Sequence, residues 1–500
     1  MDSSFSARPM HFSDWLMFHA VATPPAPAIV TPKARLTYGQ LYGAVRAAAN
    51  RLHKSGIKAG STAAIWVTNP ALHTVMVCAL NRLGAVSVPL LHIEPGRTTV
   101  PAGVSVDFVI ADGEGRFAFC SNTVAVDISW LKDWENTEPM PEGGFARESD
   151  VCLITTSSGT TGEPKAIGLT LANISCRLRQ QTIGPIASGY EQKTMGLLDL
   201  STIWGLLTVF QSLWSGGTYF SNFSQRTGHV IADFRIDRVI GSVASVGQLV
   251  DMVEADPVDC TSLKLVGVGG AMLPQSFANR IAQTLCKNIV NMYGSAEIGY
   301  AASAPITRLR NIPGGVGVIA PWVDAEAVDQ DGNKLPPGVV GELRFRSEGL
   351  VKGYMYAPAA NAKSFRDGWF YPGDLGAVTQ NRILLLAGRV DNVINAGGRK
   401  INPHSIEDAL TALDEVNEAA AFIASVGNGA DKIWVAVEPR RGADASDLKT
   451  LCRQQLKDGP VDYLIVLEKL PRNAMGKVSR RELRKLAETM KQSALKLRAN

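Results

Sequence analysis

Residues Thr155-Thr-Ser-Ser-Gly-Thr-Thr-Gly-Glu-Pro-Lys165 form a polar segment between two short apolar runs, at 151–154 and 167–170. The apolar runs have the length of buried strands, so the polar segment is predicted to connect two strands. Its two glycines allow unusual backbone angles, and successive N–H groups can then converge on an anion. Five hydroxyl side chains between residues 156 and 161 add donors, and Lys165 adds a positive charge. The segment is therefore predicted to bind phosphate.

This phosphate segment differs from a Walker loop, because the GxxxxGK[ST] spacing is absent and no helix is predicted directly after it. The alternative interpretation is an ordinary polar hairpin turn. Such turns rarely need six hydroxyl residues followed by Pro-Lys, so phosphate binding is favoured.

Outside this segment, the chain alternates between strand and helix patterns, which is typical of a parallel sheet covered by helices. Thr37 and Gln40 have the spacing of a capping box, and apolar residues follow at helical spacing up to a stop at Gly56. The same alternation returns between about 151 and 300. The next elements predicted after Gly56 are a strand at 63–67, a helix at 71–83 and a strand at 85–90.

The remainder of the chain has a different pattern. Between about 305 and 388, short strands are broken by Gly and Pro, which predicts an antiparallel or barrel-like subdomain. The predicted fold class is α/β, with a large N-terminal domain (1–389) of doubly wound subdomains plus a β-barrel-like subdomain, and a small α+β C-terminal domain (390–500). In the small domain we predict strands near 419–424, 432–438 and 462–470 and helices near 404–413, 446–457 and 480–496.

Composition excludes several classes of protein. With 46% apolar and 19% charged residues over 500 positions, the chain can bury a large core and is too apolar for disorder. The net charge of +4 does not suggest a nucleic-acid-binding protein. The seven cysteines are scattered without a CxxC pair, so neither a disulfide framework nor a zinc site is expected. We find no apolar export segment or membrane span, and a cytoplasmic location is expected.

The phosphate segment resembles that of the adenylate-forming superfamily, which includes acyl-CoA synthetases, luciferases and peptide-synthetase adenylation domains. The superfamily pattern is Thr-Ser-Gly-Thr-Thr-Gly-x-Pro-Lys-Gly, and this chain has Ser157 for the first threonine and Ala166 for the last glycine. Four more segments resemble the other superfamily motifs in the same order, and the resemblance covers nearly the whole chain. They are Asn291-Met-Tyr-Gly-Ser-Ala-Glu297, Gly368-Trp-Phe-Tyr-Pro-Gly-Asp374, the stretch 388–407 and Pro471-Arg-Asn-Ala-Met-Gly-Lys477.

The resemblance implies roles on the ATP side of the site. Glu297 would help to hold Mg²⁺, which prefers a hard carboxylate oxygen beside substrate phosphates. Asp374 would accept hydrogen bonds from the ribose hydroxyls, and Arg389 would also reach the ribose. Ala296 departs from the superfamily threonine that reaches the α-phosphate region, and Ser295 is a possible substitute for that hydroxyl. The full ATP-binding set implied is Ser157, Ser158, Gly159, Thr160, Thr161, Gly162, Lys165, Gly270, Ala271, Asn291, Met292, Tyr293, Asp374, Arg389 and Lys477, with Thr161, Glu297 and Lys477 as catalytic residues.

For the C-terminal domain, the resemblance implies rotation about a hinge at Asp391 between two half-reactions. Lys477 would bridge the substrate carboxylate and the α-phosphate in the first half-reaction. Gly397 and Gly398 would line the tunnel through which a thiol enters in the second. Many superfamily members have lysine where this chain has Asn395.

The acyl pocket is expected to include residues 198–206. Thr202 stands where the superfamily often has histidine, and the bulky Trp204 would shorten the pocket. An aryl or short-to-medium acid is therefore favoured over a long fatty acid, although Trp204 could equally be an ordinary core residue. Asp199 leaves open an amino acid as the substrate, since amino-acid adenylation domains use an aspartate in this region. Gly269 and Gly294 complete the expected pocket.

These observations predict an enzyme that uses ATP and Mg²⁺ to convert a small carboxylic acid to acyl-AMP, then transfers the acyl group to coenzyme A. The alternative acceptor is the phosphopantetheine of a separate carrier protein, which the basic residues Arg480, Arg481, Arg484 and Lys485 could contact. A third interpretation is a non-catalytic relative, given Ala166 and Ala296. The protein is expected to be a monomer or a homodimer.

Overall fold

The computed structural model describes most of the chain. The described residues are 9–91, 98–132, 134, 143–157, 165–221, 223, 226–390, 394–396, 399–401, 403–426, 430–440, 443–456, 461–472, 478–489 and 495–496.

Helices and strands alternate through the first 290 residues, as the sequence predicts. The helices are α1 (Phe12–Ala22), α2 (Tyr38–Lys54), α3 (Pro70–Leu83), α4 (Leu171–Gln180), α5 (Ile203–Trp214), α6 (Thr227–Phe234), α7 (Val243–Ala255), α8 (Gln275–Thr284), α9 (Pro358–Ser364), α10 (Pro403–Thr411), α11 (Ala445–Gln455) and α12 (Arg480–Thr489). The strands of the first 300 residues are β1 (Pro27–Thr31), β2 (Ala34–Thr37), β3 (Thr62–Trp66), β4 (Val86–Pro89), β5 (Phe108–Ala111), β6 (Thr123–Ala125), β7 (Val151–Thr156), β8 (Ala166–Thr170), β9 (Lys193–Gly196), β10 (Thr218–Ser221), β11 (Arg238–Ser242), β12 (Leu265–Gly269) and β13 (Ile289–Ser295).

After β13 the chain is dominated by strands. These are β14 (Gly299–Pro305), β15 (Gly315–Ile319), β16 (Val323–Val328), β17 (Gly341–Ser347), β18 (Tyr354–Met355), β19 (Phe365–Arg366), β20 (Trp369–Phe370), β21 (Asp374–Val378), β22 (Ile383–Arg389), β23 (Ile394–Ala396), β24 (Arg399–Ile401), β25 (Val416–Val426), β26 (Ala430–Pro439), β27 (Tyr463–Val466) and β28 (Leu495–Lys496).

The largest sheet changes character along its width. Strands β1, β10, β9, β11, β12 and β13 pair in parallel, which follows from the helical crossovers between them. From β13 onward the pairing is antiparallel through β14, β15, β22, β21 and β17. A parallel half thus continues directly into the antiparallel subdomain that the Gly- and Pro-broken pattern predicts.

A second sheet has the strand order β18-β8-β7-β4-β3-β5-β6. One hydrophobic cluster takes buried side chains from α1 to α5 and from both sheets, including Phe210 of α5, Ile29 of β1 and Ile65 of β3. These five helices are therefore packed between the two sheets. A separate cluster, with Ile231 of α6 and Leu249 of α7, covers the other face of the large sheet. This layering is that of doubly wound subdomains, so the predicted fold class is confirmed.

Local sequence signals position several of these elements. Helix α2 begins with the predicted capping box, since Thr37 Oγ1 accepts from the Gln40 N–H at 3.3 Å and the Thr37 N–H donates to Gln40 Oε1 at 3.0 Å. Helix α3 begins at Pro70, and its end is capped by Gly84 in the left-handed conformation.

The C-terminal residues form a smaller α+β unit around the sheet β25-β26-β27-β28. Helices α10 and α11 contribute to the cluster on one face of this sheet, and α12 contributes to the cluster on the other face. The prediction of a final helix from 480 to 496 is wrong in length. Helix α12 ends at Thr489, and Leu495 pairs instead with Leu464 of β27.

Among the helices that the structure describes, none combines the length and the hydrophobicity needed to cross a bilayer. All seven cysteines are free thiols in the structure.

Candidate active site

The phosphate segment leaves the carboxyl end of β7 and returns in β8, so the predicted strand–loop–strand arrangement is confirmed. Two hydrogen bonds close its base. The Ser157 N–H donates to the Lys165 carbonyl at 2.9 Å, and the Lys165 N–H donates to Ser157 Oγ at 3.2 Å. The predicted residues Ser158, Gly159, Thr160, Thr161 and Gly162 lie outside the described residues.

Lys165 and Glu297 meet through Tyr354. The Lys165 Nζ lies 5.0 Å from the centre of the Tyr354 ring, and the Tyr354 hydroxyl donates to Glu297 Oε1 at 2.9 Å. Burial and the neighbouring Glu297 carboxylate raise the pKa of Tyr354, so its hydroxyl stays protonated and can donate. A residue of the second sheet therefore orients the carboxylate that follows the β13 strand of the large sheet.

Arg177 of α4 holds the backbone around Glu297. Its Nη2 donates to the carbonyls of Ala296 at 3.0 Å, Glu297 at 2.9 Å and Gly349 at 3.0 Å. Arg177 is 1% exposed, and burial lowers its pKa to about 10, with Glu297 acting in the opposite direction. The guanidinium is therefore still charged at neutral pH and fixes the turn that presents Glu297.

Glu297 fits the role of a magnesium ligand. Its carboxylate is largely buried and accepts one hydrogen bond from a neutral phenol rather than from a cation, which leaves its negative charge available. Among the described residues, no group of three or more His, Cys, Asp or Glu side chains could enclose a metal ion. Mg²⁺ is commonly bound through one or two carboxylates together with substrate phosphates, and Glu297 offers one such carboxylate.

Asp374 and Arg389 face each other as register partners in β21 and β22. Arg389 Nη1 donates to Asp374 Oδ1 at 2.9 Å, and the Tyr293 hydroxyl donates to Oδ2 at 2.6 Å. Burial and the carboxylate of Asp374 raise the pKa of Tyr293 well above its usual value, so this phenol also remains a donor. The sequence motifs that contain these three residues converge at one point.

Strand β13 separates the predicted ATP residues onto two faces. Asn291 donates through Nδ2 to the Val316 carbonyl at 2.9 Å, while its buried Oδ1 has no hydrogen-bond partner. Tyr293, two residues on, points the same way, toward Asp374. Met292 instead lines a cavity together with Trp204. Its side chain is therefore nearer to the expected acyl pocket than to the other ATP residues.

Glycine is required at two positions in the predicted site. A Cβ on Gly269 would lie 2.5 Å from the Met292 carbonyl oxygen, and one on Gly294 would lie 2.2 Å from the Gly299 carbonyl oxygen. Gly270 has a positive φ of 80°, and both it and the neighbouring Ala271 are exposed. The carboxyl end of β12 is therefore left open beside Trp204.

Trp204 lies across this opening. Its ring would be 3.2 Å from a Cβ on Gly269 and 3.5 Å from one on Gly270. Thr202 serves as the N-cap of α5, because its Oγ1 accepts from the Gly205 N–H at 3.0 Å and donates to the Asp199 carbonyl at 2.7 Å. The Asp199 carboxylate accepts from the Ser201 N–H at 2.8 Å. The side chains of Thr202 and Asp199 thus form hydrogen bonds with the backbone at the N-terminus of α5.

The departure at Ala296 has a local explanation. The Ala296 methyl group packs against the hydrophobic cluster between the two sheets. Ser295, which could have replaced the missing hydroxyl, accepts from the Ile298 N–H at 3.5 Å. The turn before Glu297 is therefore packed around alanine.

Four predicted residues of the C-terminal part, Lys477, Asp391, Gly397 and Gly398, lie outside the described residues. Conversely, sequence reasoning missed Tyr354 and Arg177. The signal for Arg177 is a charged residue at an apolar position of a short helix, since Leu171, Ile174 and Leu178 of α4 are buried. Tyr354 gives no comparable local signal.

The sequence of this chain is similar to those of known enzymes. Residues 17–355 match the family model described as AMP-binding enzyme. The chain is similar to a 2-succinylbenzoate–CoA ligase from Bacillus licheniformis, with 28% identity over 95% of this chain and 100% of that one.

Two solved structures show the same fold. An O-succinylbenzoate coenzyme A synthetase from Bacillus subtilis, in complex with ATP and magnesium ion, aligns with a TM-score of 0.79 at 22% identity, over 94% of this chain and 98% of that one. An anthranilate CoA ligase in complex with anthranoyl-AMP aligns with a TM-score of 0.85 at 19% identity, over 98% of this chain and 100% of that one. The superfamily resemblance predicted from the motifs is confirmed, and the chain belongs to the AMP-binding enzyme family.

Proposed function

We propose that this protein is an AMP-forming acid–thiol ligase. In the first half-reaction a carboxylate oxygen attacks the α-phosphorus of ATP, which forms acyl-AMP and releases pyrophosphate. In the second, the sulfur of coenzyme A attacks the acyl carbon, which forms the thioester and releases AMP. The observation that carries the proposal is the convergence of Lys165, Glu297, Asp374 and Arg389 from separate motifs at one edge of two sheets.

The first half-reaction brings a carboxylate toward a polyanion. Each close pair of like charges costs on the order of 4 kcal/mol at 4 Å with an effective dielectric near 20. Lys165 at the base of the phosphate segment supplies one positive charge. Lys477 is proposed to supply a second, and Mg²⁺, bound through Glu297, would neutralise further charge on the phosphates. Catalysis by positioned charges needs no side-chain nucleophile.

Asp374 is proposed to receive the ribose hydroxyls. A carboxylate has about four lone-pair positions, and only two are used by Tyr293 and Arg389. These two donors fix the carboxylate plane, so its remaining lone pairs keep a defined direction. The buried Nε of Arg389 has no hydrogen-bond partner and is available to an oxygen of the nucleotide.

The acceptor is proposed to be coenzyme A, with the Gly397–Gly398 turn beside its pantetheine arm and Asp391 as the hinge. Two of the basic residues that could attract a carrier protein form ion pairs with carboxylates of this chain. Arg480 pairs with Glu407 at 2.5 Å, and Lys485 pairs with Glu482 at 3.1 Å. This internal pairing favours a small-molecule thiol over an acidic carrier protein.

The decisive experiment combines two assays on one preparation. Pyrophosphate exchange over a panel of aryl, short-chain and amino acids measures the first half-reaction, and acyl-CoA release after addition of free coenzyme A measures the second. We expect exchange with at least one aryl or short-to-medium acid, followed by thioester release within turnover time. Exchange that stalls at acyl-AMP in the presence of coenzyme A would point to a carrier protein. Absence of exchange with every acid would refute adenylation.

A further inference from the structure

Below Trp204, a narrow cavity continues between α5 and the large sheet. Thr208 and Gln211 follow Trp204 at helical spacing on one wall, and Thr194 of β9 and Arg238 of β11 lie on the other. The space that a water-sized molecule can occupy is about 10 Å³, which is about the room that one water molecule needs. The cavity therefore has a polar end, and Trp204, Ile240 and Met292 are among its apolar lining.

Four buried polar atoms at this end have no hydrogen-bond partner among the described residues. Gln211 is 3% exposed, and neither its Nε2 nor its Oε1 is paired; Thr194 is 1% exposed, and its Oγ1 is unpaired. Arg238 is 4% exposed, and its Nε is unpaired. Buried polar groups without partners destabilise a protein, so a ligand oxygen that reaches this end of the cavity would supply missing bonds.

Arg238 is held rigidly and carries a charge. Its Nη2 donates to the Ile186 carbonyl at 2.9 Å, and its Nη1 donates to the Ala187 carbonyl at 3.0 Å and to Gln192 Oε1 at 3.0 Å. Burial lowers its pKa to about 10, so the guanidinium stays protonated at neutral pH. Within the described residues, no carboxylate forms an ion pair with Arg238, and its bonds go to neutral oxygens.

The strand register gives the depth of this end. Arg238 is the register partner of Thr194, and Ser242, four residues later in β11, is the partner of Gly269 beside the Trp204 ring. Four residues of strand span about 13 Å. The polar end therefore lies about the length of one substituted aromatic acid from the open edge of the sheet.

We propose that the acyl pocket selects a carboxylic acid whose far end carries a hydrogen-bond-accepting oxygen, which Gln211, Thr194 and Arg238 receive. This inference rests on the proposed function, since it assigns the substrate class of the same site. The group at the far end of the acid must contain an oxygen that accepts hydrogen bonds. A hydroxyl, a carbonyl and a second carboxylate all meet this requirement. Because the cavity admits only about one water molecule, binding of an acid along this path requires lining side chains, including Trp204, to move.

The test uses matched acids that differ only at the far end. Sets of equal length end in methyl, hydroxyl, acetyl or carboxylate, and kcat/KM is measured by pyrophosphate exchange. We expect at least one oxygen-bearing acid to exceed its methyl partner by about 10-fold or more, because a site built for hydrogen bonds discriminates against analogues that leave its polar groups unpaired. Preference for the acid that ends in carboxylate would identify the substrate as a dicarboxylic acid. Preference for the acid that ends in hydroxyl or acetyl would identify a substrate with a neutral oxygen at its far end.

Gln211→Leu provides the matching variant, and Thr194→Val provides a second one. In each variant, the kcat/KM for the oxygen-bearing acid divided by that for its methyl partner should fall toward one. The KM for ATP should stay the same. Ser13→Ala is the control, because Ser13 of α1 is also a buried, unpaired hydroxyl and does not line this cavity. It should leave the ratio unchanged.

Gln211→Leu also separates substrate binding from a structural role. Since neither amide atom of Gln211 has a partner, the leucine variant should unfold at the same or a higher temperature than the wild type. Equal or better use of the methyl acids by the wild type would overturn the inference while adenylation itself stood. A ratio unchanged in both variants would also overturn it. If no acid supports exchange, the proposed function fails first and the inference falls with it.

Discussion

The nucleotide side and the acyl side of the site differ in how their polar groups are used. On the nucleotide side, each carboxylate has a partner within the chain, since Glu297 accepts from Tyr354 and Asp374 accepts from Tyr293 and Arg389. On the acyl side, Gln211 is buried, and neither of its side-chain polar atoms has a partner. Both regions lie within the first 390 residues.

This difference separates the part of the reaction that every acid shares from the part that is specific to one acid. Glu297 and Asp374, the carboxylates of the proposed ATP site, are oriented by partners within the chain, which favours electrostatic catalysis because little reorganisation is needed. The end of the acyl pocket instead keeps hydrogen-bonding capacity for the substrate. Changes on the nucleotide side should therefore affect all acids by the same factor, and changes on the acyl side should alter the ranking of acids.

The largest effect is expected for Lys477→Ala. Removal of one positioned charge at a reacting phosphate typically costs 100- to 1,000-fold in rate, and acyl-AMP formation should fall by about that factor for every acid. Transfer from supplied acyl-AMP to coenzyme A should persist. Lys485→Ala is the control, because Lys485 belongs to the same C-terminal part and its ion pair, among the residues that the structure describes, is with the exposed Glu482. Pyrophosphate exchange at the wild-type rate in Lys477→Ala would contradict the assignment.

A smaller effect is expected for Asp374→Asn. The asparagine amide has one uncharged acceptor oxygen, whereas the carboxylate uses both of its oxygens to accept from Arg389 and Tyr293. The ribose hydroxyls would therefore lose a strong acceptor. A loss of about 1–3 kcal/mol corresponds to a rise of roughly 5- to 150-fold in the KM for ATP. The ranking of acids should not change.

The control for Asp374→Asn is Asp324→Asn. Asp324 also pairs with an arginine, Arg346, at 2.9 Å, but both side chains are more than half exposed. Surface pairs of this kind contribute little, so the KM for ATP should stay at the wild-type value. An equal effect of both substitutions would remove the case for ribose binding at Asp374.

For Tyr354→Phe we expect a change in the requirement for magnesium. The variant keeps the ring beside Lys165 and removes the donor to Glu297, a bond worth about 1.5–3 kcal/mol when the acceptor is charged. Because Glu297 is then less well oriented, the concentration of Mg²⁺ for half-maximal exchange should rise by up to about 10-fold.

Tyr371→Phe is the matched control for this substitution, since the hydroxyl of the buried Tyr371 accepts from Arg344 at 3.2 Å rather than donating to Glu297. A Mg²⁺ dependence that is the same in the wild type and both variants would show that Tyr354 only packs against Lys165.

The smallest effect is expected for Ala296→Thr, which should change kcat/KM for ATP by no more than a few-fold. A threonine hydroxyl that hydrogen-bonds to the phosphate should hardly lower the stability of the fold, whereas one that stays buried and unpaired lowers it by about 1–3 kcal/mol. Ala296→Val provides the control of equal shape without the hydroxyl. If both variants lose stability and adenylation together, measured by thermal unfolding and pyrophosphate exchange, the turn tolerates only the alanine that packs there.

Local signals in the sequence predicted the elements that local chemistry determines. The capping box at Thr37 and the strands on both sides of the phosphate segment are found where the pattern indicated them. The end of the last helix was not predictable, because Leu495 leaves the helical pattern to pair with Leu464, which is about 30 residues away in sequence. The domain boundary near Arg389 and the roles of the site residues stay predictions.

Long-range contacts explain what the sequence did not reveal about the site. Tyr354 is 57 residues from Glu297, and Arg177 is 120 residues from it. No spacing rule connects residues so far apart, since only the packing of two sheets and α4 brings them together. Similarly, Gln211 has the position of an ordinary residue on a mostly buried helix, and its unpaired amide is visible only in three dimensions.

The contact between Tyr354 and Glu297 also joins two sheets, because Tyr354 belongs to β18 at the edge of one and Glu297 follows β13 of the other. A ligand that engages Glu297 therefore acts on the interface between the sheets as well as on the reaction. Ligands that bind only the folded state stabilise it by RT ln(1 + [L]/Kd). Thermal denaturation in the presence of nucleotides thus reports their affinity without turnover, and it gives a route to inhibitors of this protein before its acid is identified.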